Sequence, residues 1–316
     1  MNTHHIILGD CIEGMKTLSD KCVQTCITSP PYFGLRDYQG GEAEIGQEET
    51  VEGYVQKMVE VFREVRRILR DDGTLWLNLG DSYMSAKNCA PPPQTVANGN
   101  PRSMPTDFIP ANRKDQEGLK TKDLIGIPWR VALALQADGW YLRQDIIWSK
   151  PNPMPESVED RCTKSHEYIF LLSKKPHYYY DHEAIKEPSV YADCGRPSKK
   201  KGEFKAKGEP LEGRLPFRAI TETKNKRSVW TVNAKGYKGA HFAVYPENLI
   251  EPCVLAGCPQ DGTVFDPFTG SGTTAVVALK NGRNYIGTEL NPEYIKIAEA
   301  RIKESVPQTL EEILND

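Results

Sequence analysis

A predicted strand, a glycine-rich turn, a helix and a second strand follow one another near the end of this 316-residue chain, and they constrain the fold more than any other feature. Residues 263–268 are an apolar, β-rich run, and Thr269-Gly-Ser-Gly-Thr-Thr274 is a glycine loop. Residues 275–281 have the pattern of a helix that Gly282 closes, and 284–290 form the next strand. Strands that alternate with helices in this way predict an α/β fold with a parallel sheet.

The glycine loop also indicates a nucleotide site. Glu289 lies near the end of the second strand, nineteen positions after Gly270. A carboxylate about 20 residues beyond such a turn holds a ribose diol in nucleotide-binding folds. Gly270-Ser-Gly-Thr-Thr-Ala275 matches the dinucleotide pattern GxGxxA as well, which makes a nicotinamide or flavin enzyme an alternative.

The position of the loop in the chain argues against that alternative. After Glu289 only a predicted helix at 291–305 and a short tail remain, so no second half of a dinucleotide-binding sheet can follow. The sheet must be completed by strands earlier in the chain. Apolar, β-rich runs that can supply them lie at 5–9, 24–27, 73–79, 141–148 and 167–172.

The tetrad Ser29-Pro30-Pro31-Tyr32, which we call the catalytic shelf, follows the second of these runs. Proline has no N–H and a fixed φ, so the carbonyls of Ser29 and Pro30 are predicted to face outward as acceptors. The Ser29 hydroxyl adds another acceptor, and the Tyr32 ring offers a face for stacking, with Phe33 as a candidate second ring. The shelf therefore suits a flat base with an exocyclic amine. For the tetrad alone, the alternative is a Pro-Pro turn that leaves a strand and has no role in binding.

Together, the two motifs resemble the amino-group DNA methyltransferases of the β class, in which the catalytic motif precedes the cofactor motif. The resemblance covers nearly the whole chain. Its further matches are Leu8-Gly-Asp10, Gly80-Asp-Ser82, Trp148-Ser-Lys-Pro-Asn152, His166-Glu-Tyr-Ile-Phe170, Arg227-Ser-Val-Trp230 and His241-Phe-Ala-Val-Tyr-Pro-Glu247.

This resemblance implies a Rossmann-like methyltransferase sheet of seven strands with a circularly permuted motif order and an inserted DNA-recognition segment. It implies S-adenosylmethionine as cofactor and methyl transfer to cytosine N4 or adenine N6 of a flipped base, with Ser29, Pro30, Pro31 and Tyr32 as catalytic residues. Asp10 is similar to the family acid that meets the adenine amino group, although it could instead cap the helix that begins at Cys11. The implied cofactor residues are Asp10, Asp266 (methionine end), Pro267, Phe268 (adenine end), Gly270, Ser271, Gly272, Thr273, Thr274 and Glu289.

The serine at the head of the shelf favours cytosine N4, because adenine enzymes of the family mostly carry Asp or Asn there. Adenine N6 is the alternative. A DNA-binding module without turnover and an RNA methyltransferase are further hypotheses, and the intact motifs speak against the first. Neither a metal nor a nucleophilic cysteine is required by the chemistry.

Charge is unevenly distributed along the chain. The net charge is −3, but residues 196–238 contain thirteen Lys or Arg against four Glu, so this window carries +9 and the rest −12. A basic window of this kind is expected to meet DNA phosphates, although a solvated loop is the simpler explanation. The candidate DNA-binding residues are Lys199, Lys200, Lys201, Lys224, Lys226 and Arg227.

These patterns predict one methyltransferase domain with an insertion. The catalytic part spans 1–181, the basic target-recognition insertion 182–240 and the cofactor-binding part 241–316. Segment 84–122 has little periodicity and is predicted to be a mobile loop that grips DNA, with a passive insertion as the alternative. The eight cysteines include no CxxC pair, and no apolar run or leader suggests a membrane, so we expect reduced thiols and a cytoplasmic protein. Expected partners are double-stranded DNA, a cognate restriction endonuclease and a second copy in a homodimer.

Overall fold

The computed structural model describes residues 2–34, 44–84, 116–189, 223–234 and 245–305. Its elements alternate between strands and helices over most of the chain. In chain order they are β1 (His4–Leu8), α1 (Cys11–Lys16), β2 (Val23–Thr28), α2 (Val51–Ile68), β3 (Leu69–Leu79), α3 (Ile127–Ala137), β4 (Tyr141–Ser149), β5 (His166–Ser173), β6 (Glu187–Pro188), β7 (Thr223–Lys224), β8 (Val229–Thr231), α4 (Glu247–Gly257), β9 (Thr263–Asp266), α5 (Thr273–Lys280), β10 (Asn284–Glu289) and α6 (Pro292–Ser305).

Within the described ranges, eight strands form one mixed sheet in the order β1-β10-β9-β2-β3-β5-β4-β8. The first five strands in this order, β1, β10, β9, β2 and β3, are parallel. Strand β5 runs antiparallel to both of its neighbours, β3 and β4. All seven strands predicted from the sequence are present and belong to this sheet. The eighth strand, β8, was not predicted because its three residues show no periodicity. It pairs with the end of β4.

The strand order creates a crevice between β2 and β9. The chain leaves β9 toward β10 on one side, whereas it leaves β2 through α2 toward β3 on the other. Loops that leave two neighbouring parallel strands in opposite directions open a cleft at the carboxyl edge of the sheet, where ligands bind in such folds. The catalytic shelf follows β2, and the glycine loop follows β9, so both motifs meet at this cleft.

Helices cover both faces of the sheet. Alternate residues of β3 show the division: Leu75 and Leu77 belong to the apolar cluster beneath α1, α2 and α3, and Trp76 belongs to the cluster beneath α4 and α5. Two-sided burial explains why the central strands are continuous apolar runs. It also explains why Gly257 of α4 is a glycine, because a Cβ there would lie 2.6 Å from Trp76 Nε1.

The long helix α2 connects the fold to the site. Thr50 caps it by accepting a hydrogen bond from Gly53 N at 3.0 Å, and its buried face includes Tyr54. The Tyr54 hydroxyl donates to the main-chain oxygen of Pro31 at 2.9 Å. The hydrogen bond from α2 therefore holds the catalytic shelf against the core.

The structure modifies several boundaries that the sequence predicted. Pro267 and Phe268 follow β9 as part of the turn, and α5 starts at Thr273, two residues earlier than expected. In the predicted insertion 182–240, β6 and β7 form a separate two-stranded ribbon, and β8 joins the main sheet. The domain boundaries themselves stay a prediction. No described helix is long and apolar enough to cross a membrane.

Candidate active site

The catalytic shelf lies directly beyond the last residue of β2. Pro30 is buried, while Ser29 and Tyr32 are half-buried and border the cleft. The expectation that Phe33 offers a second stacking ring is wrong, because Phe33 is 2% exposed and its ring packs on Tyr54 with centroids 5.7 Å apart. Of these two neighbouring aromatic residues, Tyr32 is therefore the one that can stack on a base.

Gly80, at the end of β3, lies under the Tyr32 ring. A Cβ at Gly80 would come within 2.6 Å of Tyr32 Cε2, so only glycine leaves room for the ring in this position. The next residue, Asp81, organises the neighbouring helix: its Oδ1 accepts from the N–H groups of Gly126 and Ile127 at 3.0 and 3.1 Å at the start of α3. The Gly-Asp pair after β3 therefore shapes the wall of the site.

Polar residues of three neighbouring strands surround the Tyr32 hydroxyl. It donates to Glu167 Oε2 of β5 at 2.8 Å and lies 3.3 Å from Asn78 Oδ1 of β3. Lys150, after β4, forms an ion pair with the other oxygen of Glu167. Both partners of that pair are largely buried, with 19% and 16% of their side chains exposed. The sequence motifs include Lys150 and Glu167, but no role was predicted for either residue.

The glycine loop adopts a backbone that favours glycine at two positions. Gly270 and Gly272 have φ of 53° and 78°, which is the left-handed region. Gly272 also approaches α6 closely, because a Cβ there would lie 2.8 Å from Ala298 Cβ. These two constraints hold the loop in a tight turn whose N–H groups begin α5.

The hydroxyl side chains of the loop point into the protein. Ser271, Thr273 and Thr274 are each at most 4% exposed. Arg301 of α6 donates to the oxygen and the hydroxyl of Ser271, both at 2.8 Å, and to the hydroxyl of Thr273 at 3.0 Å. The predicted loop residues are thus brought together, and a contact with a ligand would come from their backbone. Arg301 had no sequence signal, since it lies within an ordinary amphipathic helix.

Asp266, at the end of β9, is a buried junction. Its carboxylate accepts from the hydroxyls of Thr28 and Thr274, both at 2.6 Å, and from the N–H of Phe268 at 3.0 Å. The Tyr245 hydroxyl lies 3.3 Å from the same group. Burial raises the pKa of Asp266. This residue connects the two motifs, and its predicted contact with the methionine end of a cofactor stays a prediction.

Glu289 and Asp10 lie at the carboxyl ends of the adjacent strands β10 and β1. Glu289 accepts from the N–H of Gly270 and of Asn291, each at 2.8 Å, and burial raises its pKa. Asp10 accepts from Ile12 N at 2.9 Å and Glu13 N at 3.0 Å, so it does cap α1. The cap leaves open whether Asp10 also meets a cofactor. Phe268 follows β9 and is half-exposed, with part of its side chain packed against the core.

The predicted DNA-binding residues fall in two groups. Lys224 is paired with Glu187 at 3.6 Å, and Lys226 lies over the ring of Trp230 at 5.1 Å. Arg227 is exposed at the start of the β8 segment. Lys199, Lys200 and Lys201 lie outside the described residues, as does 85–115 of the predicted loop 84–122.

The described cysteines carry free thiols, and burial raises the pKa of Cys11 and Cys258 to about 12. The described ranges contain no group of three or more His, Cys, Asp or Glu that could hold a metal ion.

Comparison with protein families gives one match that covers most of the chain. A family model described as DNA methylase, N6_N4_Mtase, matches residues 23–300. Among curated proteins, the Type II methyltransferase M.SmaI of Serratia marcescens is 48% identical over 297 residues, covering 94% of this chain and 90% of that protein. The Type II methyltransferase M.Cfr9I of Citrobacter freundii is 43% identical over 303 residues, with coverages of 96% and 89%.

Solved structures share the architecture at low identity. The PvuII DNA methyltransferase (cytosine-N4-specific) superposes with a TM-score of 0.64 at 18% identity, covering 100% of this chain and 91% of that one. TTHA0409 of Thermus thermophilus, solved with S-adenosyl-L-methionine, gives 0.59 at 21% identity, with coverages of 98% and 96%. These likenesses confirm the Rossmann-like methyltransferase fold that the sequence predicted.

Proposed function

This chain belongs to the N6_N4_Mtase family of DNA methylases, and on that premise we propose that it is a site-specific cytosine-N4 methyltransferase of double-stranded DNA. Its relatives are Type II methyltransferases, the modification enzymes of restriction–modification systems. Methyl transfer to an amino group of a DNA base is the family activity. The choice of cytosine N4 is our inference.

One observation carries the proposal: the catalytic shelf and the glycine loop meet in one cleft. The Thr28 hydroxyl, directly before the shelf, donates at 2.6 Å to Asp266, which ends β9 three positions before the glycine loop begins. A base held on the shelf and a nucleotide held by the loop would therefore lie side by side. Holding two reactants together in this way lowers the barrier to a group transfer.

The residues around the glycine loop fit S-adenosylmethionine. The Glu289 carboxylate can accept hydrogen bonds from a ribose diol, and the left-handed glycines let the backbone approach the ligand. Phe268 offers a half-exposed ring to an adenine. When bound, this cofactor supplies an electrophilic methyl group on a sulfonium.

The shelf would prepare the amine for attack. Its nitrogen lone pair is conjugated with the base ring, so the amine is a poor nucleophile. Acceptors at the Ser29 hydroxyl and a main-chain carbonyl of the shelf would hold the amino hydrogens and turn the nitrogen toward the methyl group. Flipping the base out of the duplex costs a few kcal/mol, which stacking on Tyr32 offsets.

Ser29 is the feature that favours cytosine over adenine. It provides a small neutral acceptor at the position where adenine enzymes of the family mostly carry Asp or Asn. The PvuII enzyme, whose name states cytosine-N4 specificity, has the same fold, and this agrees with the assignment but does not carry it.

A nucleoside analysis tests the proposal. DNA would be incubated with the protein and S-adenosylmethionine, digested completely, and analysed by mass spectrometry. We expect N4-methylcytosine in duplex DNA and none in RNA or in a reaction without cofactor. If the product is N6-methyladenine, the target base is adenine and not cytosine. Methylation confined to RNA would refute the proposal that DNA is the substrate.

The proposed partners follow from the same assignment. Methylation of a defined site would protect DNA against a cognate restriction endonuclease. The gene of that endonuclease should be sought beside the gene of this protein. Residues 182–240 are the proposed recognition insertion. We also propose that the enzyme works in the cytoplasm, where its DNA substrate is. We further propose that it forms a homodimer, and analytical sedimentation would measure its oligomeric state.

A further inference from the structure

A serine hydroxyl can both donate and accept hydrogen bonds, and its rotor decides which side faces a ligand. If Ser29 holds an amino hydrogen of the target base, its oxygen lone pairs must face the base. Its own hydrogen must then point elsewhere. The environment of Ser29 therefore has to fix this direction.

The hydroxyl oxygen of Tyr32 can accept the Ser29 hydrogen. Ser29 Oγ can donate to the Tyr32 hydroxyl oxygen over a long contact of 3.4 Å, and Tyr32 in turn donates to Glu167 Oε2 at 2.8 Å. The Tyr32 hydrogen is committed to a carboxylate, which is the stronger type of acceptor. With the Tyr32 hydrogen directed at Glu167, the Ser29 hydroxyl is the donor in the contact between Ser29 and Tyr32.

Glu167 is itself held in one orientation. Lys150 pairs with Oε1, and Asn78 Nδ2 lies 3.4 Å from Oε2 while it also donates to Tyr168 O at 3.0 Å. All of these groups are largely buried, and the lysine lies 4.1 Å over the ring of Trp148. Low exposure strengthens hydrogen bonds that polarise one another in a chain.

We propose that Glu167, held by Lys150, is a positioning residue for methyl transfer, because it fixes the direction of the Ser29–Tyr32–Glu167 chain and makes Ser29 an acceptor for the target amine. This rests on the proposed function of the shelf. It also explains why a strand far from the shelf in sequence, β5, contributes a charged residue behind the cleft.

The structure also suggests how a single change would remove the fixed direction of this hydrogen-bond chain. In Glu167→Gln the amide has one oxygen and one NH₂ group. Lys150 is a pure donor and attracts the amide oxygen, so the NH₂ group faces Tyr32 and donates to it. The Tyr32 hydrogen then loses its carboxylate acceptor and is shared between Asn78 Oδ1 at 3.3 Å and Ser29 Oγ at 3.4 Å. The Ser29 hydrogen is no longer held away from the base amine, so Ser29 becomes a poorer acceptor although the number of heavy atoms is unchanged.

Single-turnover methylation of duplex DNA, at saturating cofactor, tests this. Glu167→Gln and Tyr32→Phe should each slow methyl transfer about 10- to 100-fold, the range expected for a hydrogen bond to a charged group. Cofactor affinity should stay within twofold of the parent. Because Tyr32→Phe keeps the ring, the fluorescence of 2-aminopurine at the target position should still rise on binding. Glu183→Gln, which breaks an exposed pair with Lys186, is the matched control and should behave like the parent.

The double variant separates positioning from general support of the fold. If Glu167 acts through the Tyr32 hydroxyl, the two changes together should be no slower than Tyr32→Phe alone. A purely structural ion pair would give losses that multiply, with a lower thermal midpoint in the double variant.

Each result is decisive. A rate within twofold of the parent for Tyr32→Phe, which should fold normally, overturns the inference even if Glu167→Gln is unstable. Multiplying losses overturn it as well. If the parent itself transfers no methyl group to DNA, the proposed function fails first and the inference falls with it, whereas an active parent with indifferent variants refutes only the positioning role.

Discussion

Thr28 and Asp266 are 238 positions apart in the sequence, yet the Thr28 hydroxyl donates a 2.6 Å hydrogen bond to the Asp266 carboxylate inside the core. Thr28 ends β2 before the catalytic shelf, and Asp266 ends β9 before the glycine loop. Their contact fixes the separation of the two halves of the site. Its loss should affect stability and cofactor binding together.

Thr28→Val removes this donor and keeps the shape of the side chain. We expect it to lower the free energy of unfolding by about 1–3 kcal/mol, because a buried carboxylate loses a partner. Thr28→Ser keeps the hydroxyl and should cost clearly less. Chemical denaturation of both variants measures the difference, and a Thr28→Val protein as stable as the parent would mean that the hydrogen bond contributes nothing to stability.

The loss of stability caused by Thr28→Val should depend on pH. Burial raises the pKa of Asp266, so the folded protein holds this proton more tightly than the unfolded chain, and this group's contribution to stability falls as pH rises through the folded pKa. The Thr28 bond favours the ionised form. The destabilisation by Thr28→Val should therefore be larger at neutral than at acid pH, and a constant difference would contradict it.

Glu289→Gln should weaken cofactor binding more than it slows methyl transfer, since a ribose contact is equal in the ground and transition states. In the parent, affinity should fall at acid pH as Glu289 takes up a proton. Because burial raises its pKa, this loss should begin at a higher pH than for an exposed glutamate. Calorimetry across pH should show this loss of cofactor affinity at acid pH in the parent and not in the variant. If Glu289→Gln binds the cofactor as tightly as the parent, Glu289 does not contact the ribose.

Gly272→Ala and Gly118→Ala form a matched pair. Both glycines have a positive φ, 78° and 73°, but a Cβ at Gly272 meets Ala298 at 2.8 Å, whereas nothing lies within 4 Å at Gly118. Gly118→Ala should cost roughly 1–2 kcal/mol of backbone strain. Gly272→Ala should cost more, because it also displaces α6, and it should weaken cofactor binding. Thermal melts and cofactor titrations of the two proteins check both parts.

Arg301→Lys should loosen the glycine loop. Nη1 of Arg301 makes all three bonds to Ser271 and Thr273, while Nη2 faces Glu247 at 3.7 Å, and the single ammonium of a lysine cannot serve both places at once. We expect a several-fold loss of cofactor affinity in equilibrium titration. Lys296→Met, on the exposed side of the same helix, should leave the affinity unchanged. Similar losses in both proteins would indicate a general effect on α6.

Neutralising Lys199, Lys200 and Lys201 together should weaken DNA binding and flatten its salt dependence. Each lost phosphate contact removes about 0.9 from the slope of log K against log salt. Cofactor affinity should not change and serves as the internal control. A parental slope would show that this run does not touch phosphates.

Local sequence was sufficient for the parts of the site that one segment builds. The left-handed glycines of the loop, the prolines of the shelf and the apolar runs of the seven main strands restrict the backbone through neighbouring residues alone. The loop and the shelf could therefore be located in the sequence, whereas their meeting at one cleft follows from the neighbouring positions of β9 and β2 in the sheet. The three-residue strand β8 was missed because such a short segment becomes a strand only by pairing with β4.

Only the tertiary structure decided which side chains serve these motifs from a distance. Glu167 meets Tyr32 across 135 positions, and Arg301 reaches the loop from another helix. Asp266 joins two strands in the core, and its expected contact with a cofactor stays a prediction. Backbone restrictions act between neighbouring residues and can be inferred from a motif. Hydrogen bonds between distant strands depend on strand order and register, which the whole folded sheet determines through burial.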